Sequence, residues 1–228
     1  MRLSPANPIL PTIPDLRALL LDLDGTLVDS NDAHARAWVQ ALADQGIARE
    51  ESEVRALIGM GGDLLVPKLT GEDAGSDLGK ALVQGWQDHF EPQIPDLHGF
   101  ERVRELLEWA RDEGLTVVLA SSGEDEIVDQ LLEHVGVADL VPLRVRSDEV
   151  EQTKPHPDVL QAALKKAAVQ PEQALFVGDT IFDARAAKAA GVACVLLRAG
   201  GSPGLNAEEY VLGSPAELLE ALQAAAGN

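Results

Sequence analysis

The sequence predicts an α/β protein: a doubly wound, Rossmann-like parallel sheet with a small all-helical unit inserted after the first strand. Three observations predict it. From Phe100 onward, short apolar runs alternate with helix-spaced segments, the rhythm of a parallel sheet covered on both faces. Residues 18–21, Ala-Leu-Leu-Leu, form an unbroken apolar run closed by Gly25, the pattern of a strand buried on both sides. Between residues 30 and 97 the apolar spacing is helical throughout, and Pro92, Pro95 and Gly99 end that stretch. The division expected is an extended N-terminal arm over 1–16, an α/β core from 17–29 and 98–228, and a helical cap over 30–97.

Composition narrows the class. The 228 residues are 46% hydrophobic, enough for a proper core. A formal net charge of −20 argues against nucleic-acid binding, which needs clustered Lys and Arg. The same field repels anionic substrates, so a phosphorylated ligand would need local cations and backbone N–H groups. Cys194 is the single cysteine, so an intramolecular disulfide is excluded and a reducing, cytoplasmic setting is expected. No apolar run approaches the roughly 20 residues of a membrane span. Pro5, Pro8, Pro11 and Pro14 interrupt the N-terminus, which shows no signal-peptide pattern. Monomer and homodimer are both open.

The elements follow in order. Ala33, Ala37, Trp38, Ala41 and Leu42 share one helix face, with Gly46 as the stop. A second helical piece covers 50–58. Residues 59–63, Gly-Met-Gly-Gly-Asp, read as a flexible loop before a short apolar helix through Leu69 and a helix over 77–90. The core then reads helix 100–113, strand 115–120, helix 124–134, strand 141–145 and helix 157–168. Strand 174–177, helix 181–190, strand 192–197, a weak strand 210–212 and helix 215–225 complete it.

Carboxylates and cations gather at predicted strand ends, where open α/β sheets bind ligands. Asp22 and Asp24 follow the first strand. Two neighbouring carboxylates ionise together only beside a cation; otherwise one keeps its proton. Asp and Gly are also ordinary turn residues after a strand. Ser121 and Ser122 end the second strand, where a hydroxyl and the N–H groups of the next helix suit an anion. Ser122 could equally be a helix cap. Lys154 lies in Thr-Lys-Pro-His-Pro, whose prolines are expected to hold the chain extended. Asp179 ends another strand, and Asp183 follows one helical turn later, a spacing able to aim two carboxylates at one hard cation.

Together these strings resemble the four motifs of the haloacid dehalogenase-like hydrolase superfamily. Asp-Leu-Asp-Gly-Thr-Leu-Val-Asp-Ser (22–30) resembles the first motif. Ser121 falls at the second, Lys-Pro-x-Pro (154–157) at the third and Gly-Asp-Thr-Ile-Phe-Asp (178–183) at the fourth. The resemblance covers the core, 18–29 and 98–228. It implies a magnesium-dependent aspartyl-phosphate mechanism. Asp22 would be the nucleophile and a metal ligand. Asp24 would be the general acid/base, lending its backbone carbonyl to the metal. Ser121, Ser122 and Lys154 would bind phosphate. Asp179 would ligate the metal, and Asp183 would orient that ligand or a metal-bound water.

An aspartate at position 24 disfavours carbon–halogen and carbon–phosphorus cleavage, because dehalogenases and phosphonatases lack it. The expected activity is hydrolysis of a small phosphorylated metabolite, resembling phosphoglycolate phosphatases and sugar phosphatases. His34, in His-Ala-Arg-Ala-Trp, resembles the hinge histidine of the β-phosphoglucomutase branch, or is a helix-face residue without a role. A mutase is the alternative, but the loop carrying Met60, Gly61 and Asp63 offers no Arg or Lys for a second phosphate. Met60, Gly61 and Asp63 are candidates to touch the leaving group. A noncatalytic binding protein on the same fold is the remaining alternative, and it would have no need of Asp24.

Overall fold

Strand β1 (Ala18–Leu21) is buried at every residue and lies in the middle of the sheet. A computed structural model of the chain describes residues 1–3 and 9–227. Among the described residues six strands form one parallel sheet, in the order β3-β2-β1-β4-β5-β6. They are β2 (Thr116–Leu119), β3 (Leu143–Arg144), β4 (Ala174–Gly178), β5 (Ala193–Leu197) and β6 (Val211–Leu212). In this order the chain reverses direction of build at β1, and the crevice beyond the carboxyl ends of β1, β2 and β4 is the expected ligand position.

Register sets that crevice. Leu21 pairs with Leu119 on one side and Val177 on the other. The Ala120 N–H donates to Leu21 O at 2.7 Å and the Asp22 N–H to Val177 O at 2.9 Å. Residues 22, 121 and 179 therefore emerge within one residue of the same level. Core helices α5 (Val103–Asp112), α6 (Asp125–His134), α7 (Asp158–Ala167), α8 (Ile181–Ala190) and α9 (Pro215–Ala226) cover the sheet. Leu20, Val118 and Phe176 face one apolar cluster while Leu19, Leu21 and Val177 face the other, as period-two alternation requires. Each buried leucine contributes about 2 kcal/mol of apolar transfer.

The stretch after β1 forms α1 (Asn31–Asp44), α2 (Glu51–Arg55), α3 (Gly62–Thr70) and α4 (Asp77–Phe90). The predicted face Ala33, Ala37, Trp38, Ala41 and Leu42 is buried. It meets Leu82, Trp86 and Phe90 of α4, with Trp38 and Trp86 stacked at 5.7 Å. The two connections to the sheet run side by side. Asp29 N–H donates to His98 O, and Phe100 N–H to Leu27 O, both at 3.0 Å.

Three expectations need correction. Gly62 and Asp63 are not loop; they open α3, since Gly61 supplies an extended N-cap and its carbonyl accepts from Leu64 and Leu65. Lys154 to Pro157 is a turn rather than extended, closed by His156 N–H to Thr153 O at 3.0 Å. The expected N-terminal arm folds back on itself: Leu3 bridges Ile13 in antiparallel fashion, and Leu3, Leu10, Ile13 and Leu16 are buried. Pro5 and Pro8 of that arm lie outside the described residues. No helix among the described residues is long and apolar enough to cross a membrane.

Candidate active site

Gly25 makes the turn after β1 possible. Its φ is +70°, and a Cβ there would overlap the Asn31 amide and the Asp179 carboxylate. That close approach seats Asp22, Asp179 and Asp183 together: one carboxylate oxygen from each lies within 4.8 Å of the others, and all three residues are buried. Lys154 Nζ lies 2.7 Å from Asp22 Oδ1 and 2.9 Å from Asp183 Oδ1, with only 1% of its side chain exposed. One ammonium thus faces two carboxylates, and a third stands beside them.

Local chemistry explains each placement. Thr180 and Asp183 form a capping box at the start of α8. Asp183 Oδ2 accepts from the Thr180 N–H at 2.9 Å and the Thr180 hydroxyl at 2.6 Å. The residue that stabilises the helix start is therefore also a member of the carboxylate cluster. Asp179 Oδ2 accepts from Asn31 Nδ2 at 2.7 Å and Ser202 Oγ at 2.6 Å. Its Oδ1 is buried without a hydrogen-bond partner. Burial first, and the charge of Asp183 second, push the Asp179 carboxyl up to about 7. Burial also raises Asp22 well above the ordinary range, against the opposing pull of Lys154. Burial alone would depress Lys154, but Asp183 and Asp22 outweigh it and keep the amine charged.

These residues fit a hard cation. A partnerless carboxylate oxygen sits in a buried cluster of three acids that one ammonium only partly offsets, and such an oxygen set is the chemistry magnesium selects.

Asp24 points elsewhere. Its Oδ1 accepts from Ser30 Oγ at 2.5 Å and lies 2.8 Å from His34 Nε2. Burial would raise this carboxyl, but the charge and hydrogen bond of His34 and the Ser30 hydroxyl hold it below the usual range. The His34 ring stacks on Phe90 at 3.9 Å, which fixes its plane. Ser121 Oγ accepts from the Gly123 N–H at 3.0 Å, and Ser122 Oγ is buried without a partner.

Asp22, Asp24, Ser121, Ser122 and Lys154 line a cleft whose far side is made by Trp38, Met60, Gly61 and Trp86. Asp63 does not line it. Its carboxylate accepts from Thr153 Oγ1 at 2.6 Å and the Thr153 N–H at 3.3 Å, while Gly61 N–H donates to Thr153 Oγ1 at 3.2 Å. Helix α3 is thereby fastened to the core beside Lys154.

Four contributors escaped the sequence reading: Ser30, Asn31, Ser202 and Thr153. Ser30 closes the first motif and Asn31 directly follows it, so both could have been found by that adjacency. Ser202 and Thr153 carry no local signal, because their roles arise from partners 23 and 90 residues away.

Comparison with known proteins agrees with this geometry. Residues 19–197 match the model of the haloacid dehalogenase-like hydrolases, and the chain belongs to that family. It is 35% identical over 217 residues to a phosphoglycolate phosphatase of Yersinia pseudotuberculosis serotype I (strain IP32953), covering 91% of this chain and 93% of that protein. A hydrolase from Pseudomonas syringae superposes with a TM-score of 0.83 at 28% identity, over 91% of this chain and 98% of that one. CbbY from Rhodobacter sphaeroides, solved in complex with phosphate, gives 0.74 at 25% identity, over 91% and 99%.

Proposed function

We propose that the protein is a magnesium-dependent phosphatase acting on a small phosphate monoester, of the phosphoglycolate or sugar phosphate kind. The observation that carries this reading is the Asp22 carboxylate at the end of β1, facing the cleft, with Lys154 at 2.7 Å and two further acids beside it. The name of the Yersinia relative and the phosphate bound by the Rhodobacter protein support the substrate class.

Asp22, Asp179 and the Asp24 backbone carbonyl would hold the ion, with Asp183 steadying the set. The bound ion supplies positive charge where phosphoryl oxygens and carboxylates meet. Asp22 attacks phosphorus in line, forming an Asp22 O–P bond as the ester P–O bond breaks. Asp24, a carboxylate in this geometry, passes to the departing alkoxide a proton that it takes up from His34 Nε2, 2.8 Å away. Water then attacks the aspartyl phosphate, Asp24 takes a proton from it, and the Asp22 O–P bond breaks to release phosphate. His34, 2.8 Å from Asp24, is positioned to exchange that proton. Lys154 and the Ser121 and Ser122 groups stabilise the charge on the transferring oxygens. The helical segment covers the cleft and excludes water.

Among the described residues lining the cleft, Lys154 is the one Lys or Arg. A mutase must hold a second phosphate, so hydrolysis is the better reading. Asp22→Asn should lower turnover of a generic phosphomonoester at least about 1,000-fold, as loss of a nucleophile does. Turnover within tenfold of wild type would refute the assignment.

A further inference from the structure

Arg55 ends α2, in the helical segment, yet its guanidinium reaches the core. Nη2 donates to the Gly200 carbonyl, and Nε donates to Asp32 Oδ1 at 2.8 Å. The same carbonyl accepts from Asn31 Nδ2 at 2.9 Å, and that amide also donates to Asp179 Oδ2. Ser202, two residues beyond Gly200, donates to the same oxygen. Gly200 cannot carry a side chain, since a Cβ would overlap the Asp179 carboxylate and the Gly25 carbonyl. Residues 200–202 are thus seated directly on Asp179, and Arg55 and Asn31 hold them from the helical side.

We infer that Arg55 is a positioning residue for the cation site: by holding the Gly200 carbonyl it couples docking of the helical segment on the core to cation binding at Asp179. The inference rests on the magnesium reading above. Two donors pin Asp179 Oδ2 and leave Oδ1 bare for an ion. Losing the arginine leaves the Gly200 carbonyl held by Asn31 alone, and loosens the register of Ser202 and Asn31 on that carboxylate. The ion pair with Asp32 does not account for the placement. Asp32 is 71% exposed, and pairs of that kind contribute little. Coupling is reciprocal, so a docked segment tightens the ion and a bound ion tightens docking.

The test is calorimetric titration of Mg²⁺ into wild type, Arg55→Ala, Arg55→Lys and Arg36→Ala. Arg36 bonds Gln93 within the helical segment and serves as the control. Loss of a group that orients a metal ligand typically weakens affinity 10- to 100-fold, so Arg55→Ala should bind about tenfold more weakly. Arg55→Lys should fall between, and Arg36→Ala should match wild type. Saturating Mg²⁺ should restore kcat of Arg55→Ala to within about threefold, a recovery a merely structural role would not give. An Arg55→Ala affinity within twofold of wild type overturns the coupling. If that variant does not fold, Arg55→Lys decides, and an unchanged affinity overturns it equally. Absence of Mg²⁺ binding by wild type would overturn the magnesium reading itself, and this inference with it.

Discussion

Lys154 Nζ lies 2.7 Å from Asp22 Oδ1, with 1% and 5% of the two side chains exposed. A second bond-length contact ties the same amine to Asp183. The amine therefore belongs to the acid cluster before any phosphate arrives, and it offsets charge that would otherwise be buried alone.

Lys154→Met removes that offset. Breaking a buried pair from one side costs about 3 kcal/mol or more. Urea unfolding in EDTA at pH 7 should show that loss. Turnover should fall about 100-fold or more, as when one donor to a developing oxyanion is deleted. Unchanged stability without metal would mean that the amine is not needed to hold the acids together.

The acids also make metal-free stability depend on pH. Asp179 is raised from 3.8 to about 7, and Asp22 moves the same way, in both cases through burial first. Between those values the folded chain binds more protons than the unfolded one. Stability in EDTA should therefore be greatest near pH 4 to 5 and fall toward pH 7, by on the order of 2–4 kcal/mol. Asp24 shifts the other way; its contribution is lost only as pH drops below the ordinary carboxylate range, outside this window. Magnesium at pH 7 should recover the loss. Asp179→Asn should flatten the slope and remove the magnesium effect. A flat wild-type profile in EDTA would contradict this account of the cluster.

Leaving-group dependence isolates Asp24. A p-nitrophenolate departs without a proton, whereas an alkoxide needs one. In kcat/KM, Asp24→Asn should therefore cost alkyl phosphates about 100-fold more than p-nitrophenyl phosphate, in the range general-acid contributions span. Because the second step also loses its base, p-nitrophenol should appear in a burst approaching one equivalent per chain. Equal losses in kcat/KM, which reports the leaving-group step, for both esters would remove Asp24 from the acid/base role.

The fastening of α3 to the core can be read kinetically. Asp63→Ala deletes two hydrogen bonds to Thr153, each contributing about 1 kcal/mol. The closed cleft should be less populated, and KM for a phosphate ester should rise about fivefold while kcat stays within about twofold. An equal loss in kcat with unchanged KM would place Asp63 in the chemistry instead.

The strand-end pattern was legible because it is local. A strand buried on both faces writes itself as a continuous apolar run, and the residues just past it stand at the crevice whatever lies elsewhere. Asp22, Ser121 and Asp179 follow from that alone, given the parallel sheet. The pairing of Asp183 with Asp179 follows from one turn of helix. The face of α1 and the full extent of α4 were likewise written in 3.6-residue spacing.

The errors share a cause. Residues 62–63 read as loop because two glycines precede an aspartate, yet tertiary packing of Leu65, Val66 and Leu69 pulls the helix back over them. The arm read as extended because prolines interrupt it, yet Leu3, Leu10, Ile13 and Leu16 are buried and hold its described residues against the core.

By itself the sequence determined the fold class, the order of the strand-end groups and the residue types able to accept a phosphoryl group. The tertiary structure alone decided which donors orient them. Asn31 meets Asp179 across 148 residues, Arg55 meets Gly200 across 145 and Asp63 meets Thr153 across 90. Spacing along a chain fixes neighbours only within a turn or a strand; beyond that, the packing of two separate apolar surfaces sets which polar groups come within bonding distance.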